Sequence, residues 1–154
     1  MSLEGIKALT IRGPLSGGRP AWTEIAHRLA RAPSHVSDYA RAKYALEDMG
    51  RWKFTRYLID RYSEEELCRL AIAESMDHGK CRVCNGRMWV QIKNKRIVCG
   101  ACDGTGDMRW DGELRRRLLD ISKKEWKERE GKYEEIMLHI AEIEYVLWVA
   151  MVRE

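Results

Sequence analysis

Apolar side chains recur at intervals of three and four along most of this chain, and only one stretch alternates. Trp22, Ile25, Ala26, Leu29 and Ala30 predict a first helix. Ala32, Pro33 and Ser34 break it, and Val36, Tyr39, Ala40, Tyr44 and Leu46 resume the period. Two short helices so joined read as an ordinary helical hairpin, with a helix-turn-helix-like pair as the alternative. A helix from Trp52 to Tyr62 follows. Ser63 and Glu66 then have capping-box spacing and open a helix that turns Leu67, Leu70, Ala71 and Ala73 inward until Asp77, His78 and Gly79 stop it. The alternating stretch comes next. Met88, Val90 and Ile92 fall on one strand face, Trp89 and Gln91 on the other, and Lys93 to Lys95 supply the turn of a hairpin. Past it a short helix from about Gly112 reaches Ser122, whose spacing to Glu125 makes a second capping box. From there Trp126, Tyr133, Ile136 or Met137, Ile140, Ile143, Leu147 and Met151 predict one long amphipathic helix, with a bend at Gly131.

The cysteines add a metal to this picture. Cys81 and Cys84 form one Cys-x-x-Cys pair and Cys99 and Cys102 a second, fourteen residues on. Zinc takes four thiolates in a tetrahedron, and such pairs each offer two sulfurs to one ion. Four protein ligands leave no open position, so the expected zinc is structural. Gly86, Gly100, Gly104 and Gly106 are expected to let the backbone curl around it. Two disulfides are the alternative, disfavoured by a fifth cysteine, Cys68, and by an N-terminus without a signal-like pattern. Cys68 lies mid-helix and reads as a small buried hydrophobe, and His78 as a helix-terminal cation, not a ligand.

The expected fold is therefore mainly α: a helical domain with helix-turn-helix elements and an inserted zinc-binding β-hairpin. Its parts are an N-terminal arm (1–21), which holds four of the twelve glycines and two of the three prolines, N-terminal helices (22–80), a knuckle (81–106), and a C-terminal helix-turn-helix with its long helix (107–154). The last part packs with residues 22–80 as one body, from which the hairpin projects.

Charge directs attention to two clusters. Twenty-eight Lys and Arg against twenty-four Asp and Glu leave a net +4, concentrated in residues 51–61 and 113–129. Such clusters suit a polyphosphate, unless each is merely a solvated helix face. In the second, a short helix, a turn ending in serine and a helix rich in cations make a helix-turn-helix pattern. Lys123, Lys124, Lys127 and Arg129 are the candidates for the major groove or phosphates, Arg115, Arg116 and Arg117 for the DNA backbone, and Trp126 for the inward anchor. Asp120 stands where glycine commonly turns, and Arg116 where a small residue is usual. The arm, Trp89, Lys93, Lys95 and Arg96 of the hairpin, and the basic segment from Arg51 to Arg56 are further candidates for polymerase or nucleic-acid contact. Six tryptophans and six tyrosines against one phenylalanine favour rings with a polar edge, which suit interfaces.

The order of parts resembles the late-gene antitermination Q proteins of lambda-like bacteriophages. The likeness is carried by the zinc knuckle of Cys-x-x-Cys-x-Gly type and by Leu119, Ile121, Ser122, Trp126, Tyr133, Glu134 and Glu144, over roughly residues 81 to 154. Asp120 replaces the family's glycine and Glu125 its threonine. The resemblance implies a factor in the host bacterial cytoplasm that binds double-stranded DNA near a late promoter. It would load there onto host RNA polymerase, with its sigma factor and the nascent RNA as possible partners, so that the polymerase reads through terminators. Residues 84–89 and 102–106 also resemble half of the zinc module of J-domain co-chaperones, which implies a protein-binding adaptor instead; only one pair of repeats is present, and no His-Pro-Asp tripeptide. An enzyme is not expected: His27, His35, His78 and His139 are scattered, and there is no Gly-rich phosphate loop. No apolar run reaches eighteen residues, so no membrane span is expected.

Overall fold

The structure, a computed structural model, describes residues 26–76, 79–81 and 83–152. The arm, Trp22, Ile25, His78 and the side chain of Met151 lie outside them, and with them much of the first predicted helix. After a 3₁₀ turn at Leu29–Arg31, α1 (Ser34–Ala40) starts behind Pro33, which has no N–H to leave unpaired. It runs on as a π-helical turn, Arg41–Ala45, closed by Leu46 in the left-handed region. Then come α2 (Asp48–Tyr62), α3 (Glu65–Met76), β1 (Trp89–Ile92), β2 (Lys95–Val98), α4 (Gly112–Leu119) and α5 (Lys123–Val152). The chain is mainly helical with a two-stranded antiparallel hairpin, as the periodicity predicts.

Several boundaries differ from the expectation. Leu46 does not continue the apolar stripe of α1; it terminates it, 67% exposed, and α2 starts at Asp48, four residues before Trp52. Ser63 does not cap α3. It ends α2 at φ 56, and Glu66, its supposed partner, is instead held by Arg129 from α5. The second capping box forms as predicted: Glu125 N–H donates to Ser122 Oγ at 3.2 Å, and Ser122 N–H to Glu125 Oε2 at 2.8 Å. α5 continues unbroken through Gly131, where a Cβ would meet nothing within 4 Å.

One core joins all the helices except α4, which adds only partly buried Leu119. It holds Val36 and Tyr39 of α1, Phe54 and Leu58 of α2, Leu67, Cys68, Leu70, Ala71 and Ile72 of α3, and Trp126, Tyr133, Ile136, Ile140, Ile143 and Leu147 of α5. Ala73, expected inward, is only partly buried, and Cys68 is fully buried without a bonded partner. Burial pushes the Cys68 thiol up to about 11, in keeping with a small hydrophobe. Gly50 lets α2 lie against α1 and its π turn, since a Cβ there would stand 2.9 Å from Asp38 O and from Arg41 Cβ.

Two carboxylates that are largely but not fully shielded from solvent tie α5 to the rest. Glu144 accepts hydrogen bonds from Tyr39 and Lys43, its own side chain and that of Lys43 being 10% and 12% exposed. Glu74, at the end of α3, takes the Arg115 guanidinium with two bonds of 2.8 and 2.6 Å and also accepts from the Tyr133 hydroxyl. The Arg115 guanidinium in addition lies 5.1 Å from the Tyr133 ring centroid. Arg115→Ala strands the Glu74 charge in a poorly hydrated place and is expected to cost about 3–5 kcal/mol of folding free energy. Exposed Arg117→Ala should stay within about 0.5 kcal/mol. Paired denaturant titrations of the two variants check this, and equal stabilities would refute the clamp.

Candidate metal centre and nucleic-acid interface

The two cysteine pairs fold alike. Cys81 matches Cys99 and Cys84 matches Cys102, each eighteen residues on, and the match extends into the following turns. Asn85 and Asp103 adopt φ 52 and 50, Gly86 and Gly104 φ 80 and 76, and Met88 and Gly106 φ 70 and 79. The amides cross reciprocally, Cys99 N–H donating to Met88 O at 3.0 Å and Cys81 N–H to Gly106 O at 2.8 Å. The hairpin is thus two copies of one knuckle, face to face. Of the four glycines read as turn formers, Gly100 has no positive φ and nothing packs on its Cβ position. Two residues missed in the sequence, Asn85 and Asp103, take that role; the signal was their common place after the second cysteine of each pair.

All four sulfurs lie within 4.8 Å of one another and are buried. The matched ones are 3.9 Å (Cys81 to Cys99) and 3.8 Å (Cys84 to Cys102) apart. A disulfide needs about 2.05 Å. A tetrahedron with metal–sulfur arms of about 2.3 Å has edges of about 3.8 Å, so the cage has the size of a tetrathiolate metal centre. Among the described residues, these four cysteines are placed to hold one metal ion. Burial pushes Cys99 up to about 11. At Cys102 burial acts the same way but is outweighed by hydrogen bonds from Gly106 N–H, at 3.3 Å, and from the neighbouring thiols, which bring it down to about 7. The cysteines form a small cluster apart from the helical core, with Val90 packed against it. Where the chain enters and leaves, Lys80 pairs with Asp107, and Met108 N–H donates to Gly79 O at 2.7 Å.

The hairpin above the cage has a two-residue turn at Lys93 and Asn94, both with positive φ, and Trp89 opposite Val98 at its base. Its predicted faces exist, each covered only near the base, at Val90 and at Trp89, while Met88, Ile92, Ile97 and Val98 are exposed. The Arg96 guanidinium sits 4.3 Å from the Trp89 ring centroid.

The seven cations read as DNA contacts part into two groups. α4 and α5 meet at a turn where Asp120 adopts φ 53 and ψ 43, the role glycine usually has, and Trp126 is buried against Tyr133 with ring centroids 5.4 Å apart. Beyond that turn Lys123, Lys124 and Lys127 are exposed, and none has a carboxylate partner among the described residues. Arg117 is exposed, with only a 3.9 Å contact to Glu113. Arg115, Arg116 and Arg129 are engaged elsewhere. Arg115 is clamped on Glu74. Arg116 bonds Glu113 and, at 3.1 Å, the Ile121 carbonyl, bracing the turn from a position where a small residue is usual. Arg129 bridges to Glu64 and Glu66 of the α2–α3 corner at 3.1 and 3.0 Å. Glu113 is a local partner, three residues before Arg116, but nothing local in the sequence marked the partners of Arg115 and Arg129. Among the described residues, no helix is long and apolar enough to cross a membrane.

No protein-family model matches this chain, and a search of curated proteins also finds no match.

Two outcomes test the centre. Met88 holds a glycine-like φ that Gly106 shows its copy prefers, so Met88→Gly should leave metal binding intact. Gly106→Ala, whose Cβ would stand 2.9 Å from Gly86 O, should impair it. Metal content after dialysis distinguishes them. Stripping the metal with a chelator is expected to collapse the dispersed amide signals of the hairpin to random-coil positions while the helical circular dichroism stays nearly unchanged, because the two clusters are separate; cooperative loss of all helix would contradict that separation.

Proposed function

We propose that this chain is a transcription antitermination factor that binds a DNA element through α4 and α5 and carries one structural zinc on Cys81, Cys84, Cys99 and Cys102. The observation that carries the reading is the set of three exposed lysines, Lys123, Lys124 and Lys127, without a carboxylate partner among the described residues, on the first turns of a helix that follows a capped three-residue turn and is anchored by buried Trp126. A recognition helix offers N-terminal side chains to DNA and needs an apolar anchor behind them. Arg117 adds a backbone contact. Arg115, Arg116 and Arg129 hold the unit in shape and are left out of the contact set. The zinc, when bound, neutralises thiolates and ties the two knuckles together; with four protein ligands it leaves no site for a substrate.

The resemblance to phage Q proteins supplies the rest: host RNA polymerase as the partner and terminator readthrough as the outcome. The paired knuckles with their glycine turns favour a second reading, a co-chaperone-like adaptor that holds a protein segment on the exposed apolar hairpin.

Transcription of a template with a late promoter, its flanking DNA and a downstream terminator separates them. Readthrough with the zinc-loaded protein supports the first reading, and termination unchanged at saturating protein refutes it. Lys124→Ala and Lys127→Ala are each expected to lower the slope of log affinity against log salt by about 0.9 per lost phosphate contact, with no change in melting temperature. Variants that bind like the parent would remove the helix-turn-helix from the reading.

A further inference from the structure

The geometry points to a second DNA-contacting element: the β1–β2 hairpin enters the major groove of B-form DNA as a two-stranded ribbon. The inference rests on the DNA-binding reading above for the class of polyanion, and on the hairpin itself for the rest. The sequence holds no acid between Gly79 and Asp103. Lys80, Arg87, Lys93, Lys95 and Arg96 of this stretch are exposed, and none makes an ion pair among the described residues, whereas Arg115, Arg116 and Arg129 all do. Asp103, the first acid past the ribbon, is occupied by Arg109 at 3.1 Å. Positive charge left unmatched over a projecting element calls for an outside polyanion.

Shape and donor chemistry select the form of that polyanion. Strands about 4.8 Å apart and about 13 Å long, with side chains on both sides, suit a groove about 12 Å wide. The register puts Gln91 beside Arg96, and the tight turn puts Lys93, Asn94 and Lys95 at the tip. Amide and guanidinium groups of these types read adenine and guanine edges, and exposed Ile92 and Ile97 offer apolar contact to thymine methyls. A single strand is less well served. Stacking of bases needs open aromatic faces, and the one tryptophan of the ribbon is partly buried with Arg96 over its ring.

The test uses the full zinc-loaded chain and four probes: a 20-bp random-sequence DNA duplex, the same strand single, an RNA duplex of that length and a DNA-free control. Fluorescence anisotropy is followed from 50 to 300 mM salt. Three variants accompany the parent: Lys93→Ala/Lys95→Ala/Arg96→Ala, then Lys93→Ala/Lys95→Ala, which spares the Trp89 stack, and Lys123→Ala/Lys124→Ala/Lys127→Ala. Expected are a salt slope lowered by about two to three in the first and by about two in the second, with unchanged zinc content, and tighter binding to DNA duplex than to RNA duplex, whose deep, narrow major groove excludes a ribbon. If the parent binds duplex DNA and the hairpin variants keep its slope, this inference fails while the helix-turn-helix reading stands. A parent that binds no DNA overturns both. Preference for the single strand or the RNA duplex overturns the major-groove mode.

Discussion

Glu74 is the carboxylate on which the arrangement of the C-terminal half depends. It ends the helix that leads into the cysteine hairpin, and it grips Arg115, in the first helix after the hairpin, and Tyr133, in the middle of α5. A charge so nearly buried is tolerated only when its lone pairs are fully engaged, so α3, α4 and α5 must meet at this point or leave it unpaired. Burial, and next the Glu74 charge, push the Tyr133 hydroxyl up, so it stays a donor at any ordinary pH. The clamp also joins the end of α3 to the start of α4, on either side of the hairpin. It thereby fixes α4 against α5, which is what gives the α4–α5 turn a defined shape.

The hairpin obeys a different constraint. Its strands are four residues each and expose almost every side chain, so it has too little apolar burial to hold itself. Sulfurs spaced for one tetrahedral ion substitute for a core, and the repeated turns show how: each knuckle curls through a left-handed Asn or Asp and a glycine to aim two sulfurs inward. Freed from packing, the side chains of the ribbon are available to solvent and to partners.

The repetitive parts were legible in the sequence because they are local. Helical spacing found α3 and α5 and their buried residues, alternation found the hairpin, and cysteine spacing found the cage. What the sequence did not give is decided by distant partners. Ser63–Glu66 and Ser122–Glu125 share one spacing, yet only the second caps: Ser63 is taken up as the left-handed end of α2, and Glu66 pairs with Arg129, sixty-three residues away. Arg115, Arg116 and Arg117 stand in a row, but helical phase turns the first into a buried clamp, the second into a turn brace and leaves the third outside. Tyr133 and Glu144 are members of clamps that pack α5, a role that their own sequence neighbourhood does not mark. The strain at Met88 was equally out of sight, since only its copy, Gly106, reveals what the position wants.

Sequence-specific binding of duplex DNA is the claim on which the functional account stands. Selection of the zinc-loaded protein against a random duplex pool, carried through several rounds at physiological salt and sequenced, tests it most directly. The account predicts enrichment of one discrete motif, lost when Lys123, Lys124 and Lys127 are replaced by alanine; a pool that stays random in sequence would contradict it.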